Sequence, residues 1–196
     1  MNPITHFLVG WVGLERFVPS MRDKGLVAIA GVLPDLDGLG IVVDFSTRML
    51  GLPPTDYYQH YHRLLGHGLP AAVMIAAVVA CFGRNRRAVF GLAFLAVHLH
   101  LLCDIVGSRG STPLDLWPIY YFAPLSLQPE FSWSGQWPLI GWQNFVITAA
   151  LLATALLRSA RTGYSPVGLL NTRAESELIQ VLRRRISRMR ERDRSD

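Results

Sequence analysis

Hydrophobic positions in this chain come in runs, with little of the strict alternation that marks half-buried strands, and three of the runs are long. Residues 68–82, 88–106 and 142–157 are apolar and almost free of charge, and their 15, 19 and 16 residues predict helices. Each is borderline against the about 20 residues needed to cross a bilayer. Two shorter apolar runs precede them. Residues 5–17 predict a helix too short to span, with Thr5 or Asn2 as its cap. Residues 25–33 form a second short run, stopped by Pro34 within Leu33-Pro-Asp35-Leu-Asp37. A Gly-, Pro- and aromatic-rich loop is expected from there through Gly51-Leu-Pro-Pro and Tyr57-Tyr58. Residues 107–141, with Trp117, Trp133, Trp137 and several prolines, read as loops and short turns. From Arg173 onward the pattern is again helical, with Leu178, Leu182, Ile186 and Met189 on one stripe.

The fold class expected from this pattern is all-α. Few charges in the runs and tryptophans near their ends favour a helical membrane protein over a soluble bundle. The expected organisation is a membrane-embedded domain over residues 1–160. A linker and a basic amphipathic C-terminal helix follow over residues 161–196. No repeat or low-complexity stretch divides the chain further. Nothing at the start reads as a cleavable signal, because Met-Asn-Pro offers no basic segment, so insertion is expected to use uncleaved helices.

Charge sharpens the picture through its placement. The net charge is +5, and eight arginines fall between Arg173 and Arg194, while the rest of the chain is nearly balanced. Smaller basic clusters stand at Arg22–Lys24 and Arg84–Arg87 and follow Leu157. If these face the cytoplasm, the helix ends bearing His6, Asp35, His67 and Asp104 gather on the opposite, extracytoplasmic side of the inner or cell membrane. The tail has its own acids, Glu175, Glu177, Glu191, Asp193 and Asp196, as well as its apolar stripe. It therefore suits an anionic lipid surface better than nucleic acid, and no nucleic-acid partner is expected.

All six histidines lie beside polar motifs in an otherwise apolar chain. His100 and Asp104 are one helical turn apart and can converge on one point, whereas His98 is about 200° round the helix from His100. Carboxylates at bilayer depth persist only when paired, hydrated or metal-bound. A polar helix end with one hydrogen-bonded pair is the plain alternative for His100 and Asp104. A Pro-Asp turn is the alternative for Asp35 and Asp37, and a satisfied core histidine for His6. His62 and His67, five apart, need a bend to converge, which Gly66 and Gly68 would permit. Arg63 between them suits an anionic oxygen or a salt bridge to an aspartate equally well. His60 and His98 read as spectators or supporting groups. Cys103, about 100° from Asp104 on the helix, reads as packing, and Cys81 and Cys103 form no CxxC pair. No nucleophilic serine motif, phosphate loop or dinucleotide fingerprint is present.

Four blocks in order, Thr5-His6, Leu33-Pro-Asp35-Leu-Asp37, His62-Arg63-Leu-Leu-Gly66-His67 and His100-Leu-Leu-Cys-Asp104, are followed by Gly110 and Leu116-Trp117-Pro118. Together they resemble the YdjM-like family of membrane-bound metal-dependent hydrolases over residues 1 to about 120. Two positions depart from the family pattern: Gly66 stands where a Thr is usual, and Gly68 where a Ser commonly follows the histidine. The family is similar, distantly, to the helical zinc phospholipases C and P1-type nucleases. That resemblance implies a helical core of that kind and phosphoester hydrolysis, with the His100–Asp104 element as the most similar part.

The expected metal ligands are His6, Asp35, Asp37, His62, His67, His100 and Asp104. Seven are too many for one tetrahedral zinc with an open position, so two or more Zn2+ or other divalent ions are expected, or some of the seven support the others. Asp37 is the candidate bridge and Arg63 the candidate helper of a metal-activated water attacking a phosphoester, lipid-like at an interfacial site. Trp117, Trp133, Trp137 and Tyr120-Tyr121-Phe122 are expected to rim the site, with membrane lipids as partners. The rival reading is a non-enzymatic metal-binding or metal-transporting membrane protein.

Overall fold

The computed structural model of the protein describes residues 1–192, so Asp193, Arg194 and Asp196 of the tail lie outside the described residues. Helix α1 (Pro3–Leu14) is capped by Asn2, whose side chain accepts from the Thr5 N–H, and a 3₁₀ turn at Glu15–Phe17 ends it. Helix α2 (Met21–Ala30) leads into a 3₁₀ segment, Leu33–Leu39, and then α3 (Gly40–Met49). A short α4 (Tyr57–Tyr61) precedes α5 (Leu69–Cys81) and the long α6 (Arg86–Gly107). Two-residue strands β1 (Ile119–Tyr120) and β2 (Glu130–Phe131) pair antiparallel within the polar-aromatic segment. Then come α7 (Trp142–Thr162), a 3₁₀ turn at Pro166–Leu169, and α8 (Thr172–Arg192). The chain is mostly helical, as its hydrophobic runs predict.

Alanines dominate the main core. Ala30, Ala72, Ala76, Ala93 and Ala96 interleave with Leu14, Val27, Val89 and Val97 where α1, α2, α5 and α6 meet. Small side chains let helix backbones approach closely, which is how helices in lipid gain packing energy. A second cluster, Leu8, Trp11, Ala28 and Ala155, seats α7 on α1 and α2.

Among the described residues, α6 with 22 residues and α7 with 21 are long and apolar enough to cross a membrane. The third long run behaves differently. Helix α5 keeps only 13 residues, about 20 Å at 1.5 Å per residue against a hydrocarbon core of about 30 Å. Its place as a candidate span is taken by α2 joined to Leu33–Met49, a pair bent by 47°. The expected loop after Asp37 is therefore corrected at residues 40–49, where Ile41, Val42, Val43 and Phe45 form α3 and lie exposed. A run this short, bounded by glycine on both sides, is masked in sequence by the punctuation around it.

The basic clusters of the helix turns gather at one pole. Asp23 of α2 accepts the N–H groups of Arg84 (2.7 Å) and Asn85 (3.1 Å) from the α5–α6 turn. Lys24 donates to the Glu15 carbonyl at 2.8 Å and to Tyr164 at 3.3 Å, and Arg158 of α7 lies 3.8 Å from Glu15. Helix α8 docks at the same end, where Arg183 donates to the Ala160 carbonyl at 2.8 Å. The other ends of α1, α6 and α7, and the elbow between α2 and α3, make the opposite pole.

Candidate metal centre

At that opposite pole the histidines and aspartates meet. His6 comes from the first turns of α1, Asp35 and Asp37 from the elbow, His67 from the residues leading into α5, and His100 and Asp104 from the end of α6. His6, His67, His100 and Asp104 are all buried. Close approach is possible because Gly31 ends α2 without a side chain. A Cβ there would lie 3.2 Å from the His6 carbonyl, between α1 and α6.

The tautomers can be read from the partners. His100 Nδ1 faces the Gly31 carbonyl at 2.8 Å, and a carbonyl only accepts, so Nδ1 is the donor. His67 Nδ1 in the same way donates to Asp37 Oδ2 at 3.0 Å. Neutral His67 and His100 therefore both turn an Nε2 lone pair inward, the two nitrogens 3.1 Å apart. Asp104 Oδ2 stands 3.1 Å from His100 Nε2 and 3.5 Å from His67 Nε2. Three acceptors at these separations repel one another unless a cation, a proton or a metal ion, lies among them. His6 adds two buried ring nitrogens with no hydrogen-bond partner among the described residues, and Asp35 a buried oxygen likewise unpartnered. His6 Nε2 is 3.3 Å from Asp104 Oδ1 but outside hydrogen-bonding geometry. Buried polar atoms in native proteins are nearly always satisfied, so these orphans fit a bound cation.

Among the described residues, two groups could hold a metal ion, each with its ligand atoms within 4.8 Å of one another: His6, Asp35, His100 and Asp104, and then Asp37, His62 and His67. His67 stands between the groups, with Nε2 toward the first and Nδ1 toward the second. Asp37 lies behind His67, and both its oxygens are taken. Oδ1 accepts from His62 Nδ1 at 2.7 Å, and Oδ2 from His67 Nδ1 and the Gly66 N–H, the latter at 2.7 Å. A carboxylate behind a ligating histidine is the usual device for fixing its tautomer. Burial alone would push the His67 imidazole down, but hydrogen bonds to Asp104 and Asp37 and their charges carry it up to about 9.

Gly66 matters for contact rather than for backbone freedom. A Cβ at this position would come 2.3 Å from the Pro34 carbonyl. The elbow and the His67 loop are thus pressed together, and the Gly66 N–H donates to Asp37 Oδ2 at 2.7 Å. Gly66→Ala is expected to lower stability by about 1–3 kcal/mol through overpacking. The midpoint of thermal unfolding in detergent measures it, and an unchanged midpoint would show that the loop yields freely.

Other expected residues fall differently. Arg63 stacks its guanidinium 4.1 Å over the Trp117 ring and, among the described residues, forms no ion pair with an aspartate. Trp117 meets His62 edge-on at 5.0 Å and His67 at 6.2 Å, so it does rim the site. Trp133 and Trp137 instead pack on each other at 6.3 Å, and Tyr121 hydrogen-bonds His98 Nε2 at 3.0 Å, which corrects the wider aromatic rim. His98 also donates from Nδ1 to the Phe94 carbonyl, and His60 is exposed, so both stay outside the centre. Sequence reasoning missed Gln136 and Asn144. Buried Gln136 donates to the Asp104 and Ile105 carbonyls at 2.8 and 2.9 Å, and Asn144 to the Gly107 carbonyl at 2.8 Å. They close the open carbonyl end of α6 and so fix where Asp104 points. Asp104 Oδ1 is itself held by the Ser108 hydroxyl at 2.7 Å and by the amino group of Met1.

The fold and this pole define a helical membrane protein with a buried histidine–aspartate centre able to hold a metal ion. The model of the family described as YdjM inner membrane protein matches residues 1–174, and the chain belongs to that family. The match runs past the motif blocks through α7 and ends at the start of α8. No curated protein and no solved structure matches the chain.

Proposed function

We propose that this protein is a membrane-bound metal-dependent hydrolase that cleaves a phosphoester. The observation that carries the reading is the convergence of His6, His67, His100, Asp35 and Asp104, with Nε2 of His67 and His100 beside an Asp104 oxygen and both His6 ring nitrogens unpartnered among the described residues. Imidazole with carboxylate suits zinc, with other divalent transition metals as alternatives. His6, Asp35, His100 and Asp104, joined by His67 Nε2, would hold the first ion, and Asp37 and His62 offer a place for a second. Such an ion supplies an acidified water and polarises a phosphoryl oxygen.

The chain's own groups do the rest. Gly31 and Asp37 orient the imidazoles of His100 and His67. Gln136 and Asn144 anchor the end of α6 that carries Asp104. Arg63, spread over Trp117 at the rim and unpaired with any carboxylate among the described residues, is placed to attract an anionic ester. The likeness of the His100–Asp104 element to that of zinc phospholipases C and P1-type nucleases supports extending the proposal to a core of their kind. Purified protein should hydrolyse bis(p-nitrophenyl) phosphate with a rate abolished by chelator and restored by zinc. A protein that binds zinc but hydrolyses neither this ester nor model phospholipids would favour the non-enzymatic metal-binding reading.

The site belongs, on this proposal, to the extracytoplasmic side, because the basic ends of α1, α2, α6 and α7 form the other pole. A C-terminal fluorescent reporter should therefore be active in the cytoplasm, and a C-terminal alkaline phosphatase fusion inactive. The reverse result would invert the placement. A pH dependence follows from His67. Below about 9 its Nε2 carries a proton that a metal ion must displace. Apparent zinc affinity should fall as pH is lowered, by about tenfold per unit, with a proton released on binding. Titration calorimetry in buffers of different ionisation enthalpy measures that proton, and its absence would contradict the assignment of His67.

A further inference from the structure

A cleft of about 540 Å³ reaches the centre from the side. Asp35 and His62 line part of it, Leu39, Leu139, Ile140 and Phe145 supply much of its apolar wall, and Asn2, Tyr58 and Asn144 add further polar side chains. Asp35 belongs to the first metal-holding group and His62 to the second, so the cleft touches both. Its apolar walls are not core. Leu39 is 57% exposed, Phe145 68% and Ile140 84%, and they continue into exposed Ile41, Val42 and Phe45 on α3 and Val146 and Leu152 on α7. Those helix faces are the ones a bilayer would cover, since α7 is long and apolar enough to span and α3 completes the bent candidate span.

We infer that this cleft is the acyl-chain site for a bilayer phospholipid, which reaches the centre laterally between α3 and α7. A water-soluble phosphoester is best served by polar walls, whereas here the lining is mostly apolar, with Asn2, Tyr58, His62, Asp35 and Asn144 as its polar side chains. A lipid with its chains along Leu39, Ile140 and Phe145 brings its headgroup end to Asp35 and His62, where Arg63 and Trp117 stand close by. The chains never leave an apolar surround during this movement, so no hydrophobic area is exposed to water. As to the fate of the bound lipid, the inference rests on the hydrolase reading, whereas the binding itself rests on the cleft.

The test uses the full chain in vesicles of phosphatidylethanolamine and phosphatidylglycerol, with a photoreactive phosphatidylglycerol carrying a diazirine in its acyl chain. Cross-links located by mass spectrometry should concentrate on Leu39 and residues 139–145, above the level at Phe45 and Leu152. Ile140→Trp and Phe145→Trp should fill the trough and remove that excess while metal content stays at the wild-type level. Both side chains are largely exposed, so the variants retain the core. Hydrolysis of the long-chain lipid should fall about tenfold or more in the same variants, and by a larger factor than hydrolysis of bis(p-nitrophenyl) phosphate. Labelling no stronger in the cleft than at Phe45 and Leu152, or unchanged in the variants, would overturn the inference. Concentrated labelling in a protein that hydrolyses nothing would sustain the lipid site and defeat the hydrolase reading alone.

Discussion

Metal bound by the purified protein should fall to background in His100→Ala and Asp104→Ala, with affinity lowered at least about 100-fold. Groups that merely support a ligand already contribute 10- to 100-fold, and these two residues point their lone pairs at the centre itself. His100→Ala also leaves the buried Asp104 carboxylate with one imidazole fewer. Loss of one partner from a buried charged set commonly destabilises by about 3–5 kcal/mol. Metal content and unfolding midpoint should therefore drop together. His98→Ala, two residues from His100, is the control. It removes hydrogen bonds to Phe94 and Tyr121 but nothing at the centre, and should keep its metal. Full metal retention in both His100→Ala and Asp104→Ala would end the assignment.

Asp37→Asn should have the next largest effect, and its form is informative. If Asp37 fixes the His67 tautomer, as its place behind Nδ1 indicates, the substitution lowers metal affinity about 10- to 100-fold and leaves stoichiometry unchanged. An amide can present its nitrogen where the carboxylate accepted from His62, His67 and Gly66, so His67 loses the acceptor that aims its Nε2. Loss of one whole equivalent, with the remainder bound as tightly as before, would instead make Asp37 a ligand of a second ion. Isothermal titration with zinc distinguishes the two.

Much of this centre was legible because helix geometry is a local rule. One-turn spacing put His100 and Asp104 together and sent His98 away, and alternation of basic turns with acidic and histidine motifs gathered the remaining ends at one pole. What stayed hidden depends on contacts between distant segments. No periodicity in residues 107–141 signals that Gln136 will close the end of α6, or that Trp137 will donate to Asn144 at 2.7 Å. The order of Asp37 behind His67, rather than beside the first metal-holding group, follows from the Gly66–Pro34 contact, which spans more than thirty positions of sequence. Helix α3 is hidden for a different reason: glycines and prolines on either side outweigh a run of only three apolar residues, Ile41 to Val43, that Asp44 interrupts before Phe45. The α5 run approaches spanning length in sequence because Gly68 and Phe82 extend its hydrophobic stretch beyond the part that is helical.

The most direct test of the account is metal stoichiometry of the wild-type protein, measured by mass spectrometry of the elements after purification without chelator. The account predicts at least one equivalent of zinc or another divalent transition metal per chain, and two if the Asp37–His62 group is also filled. Substoichiometric metal that does not rise on incubation with zinc would contradict it.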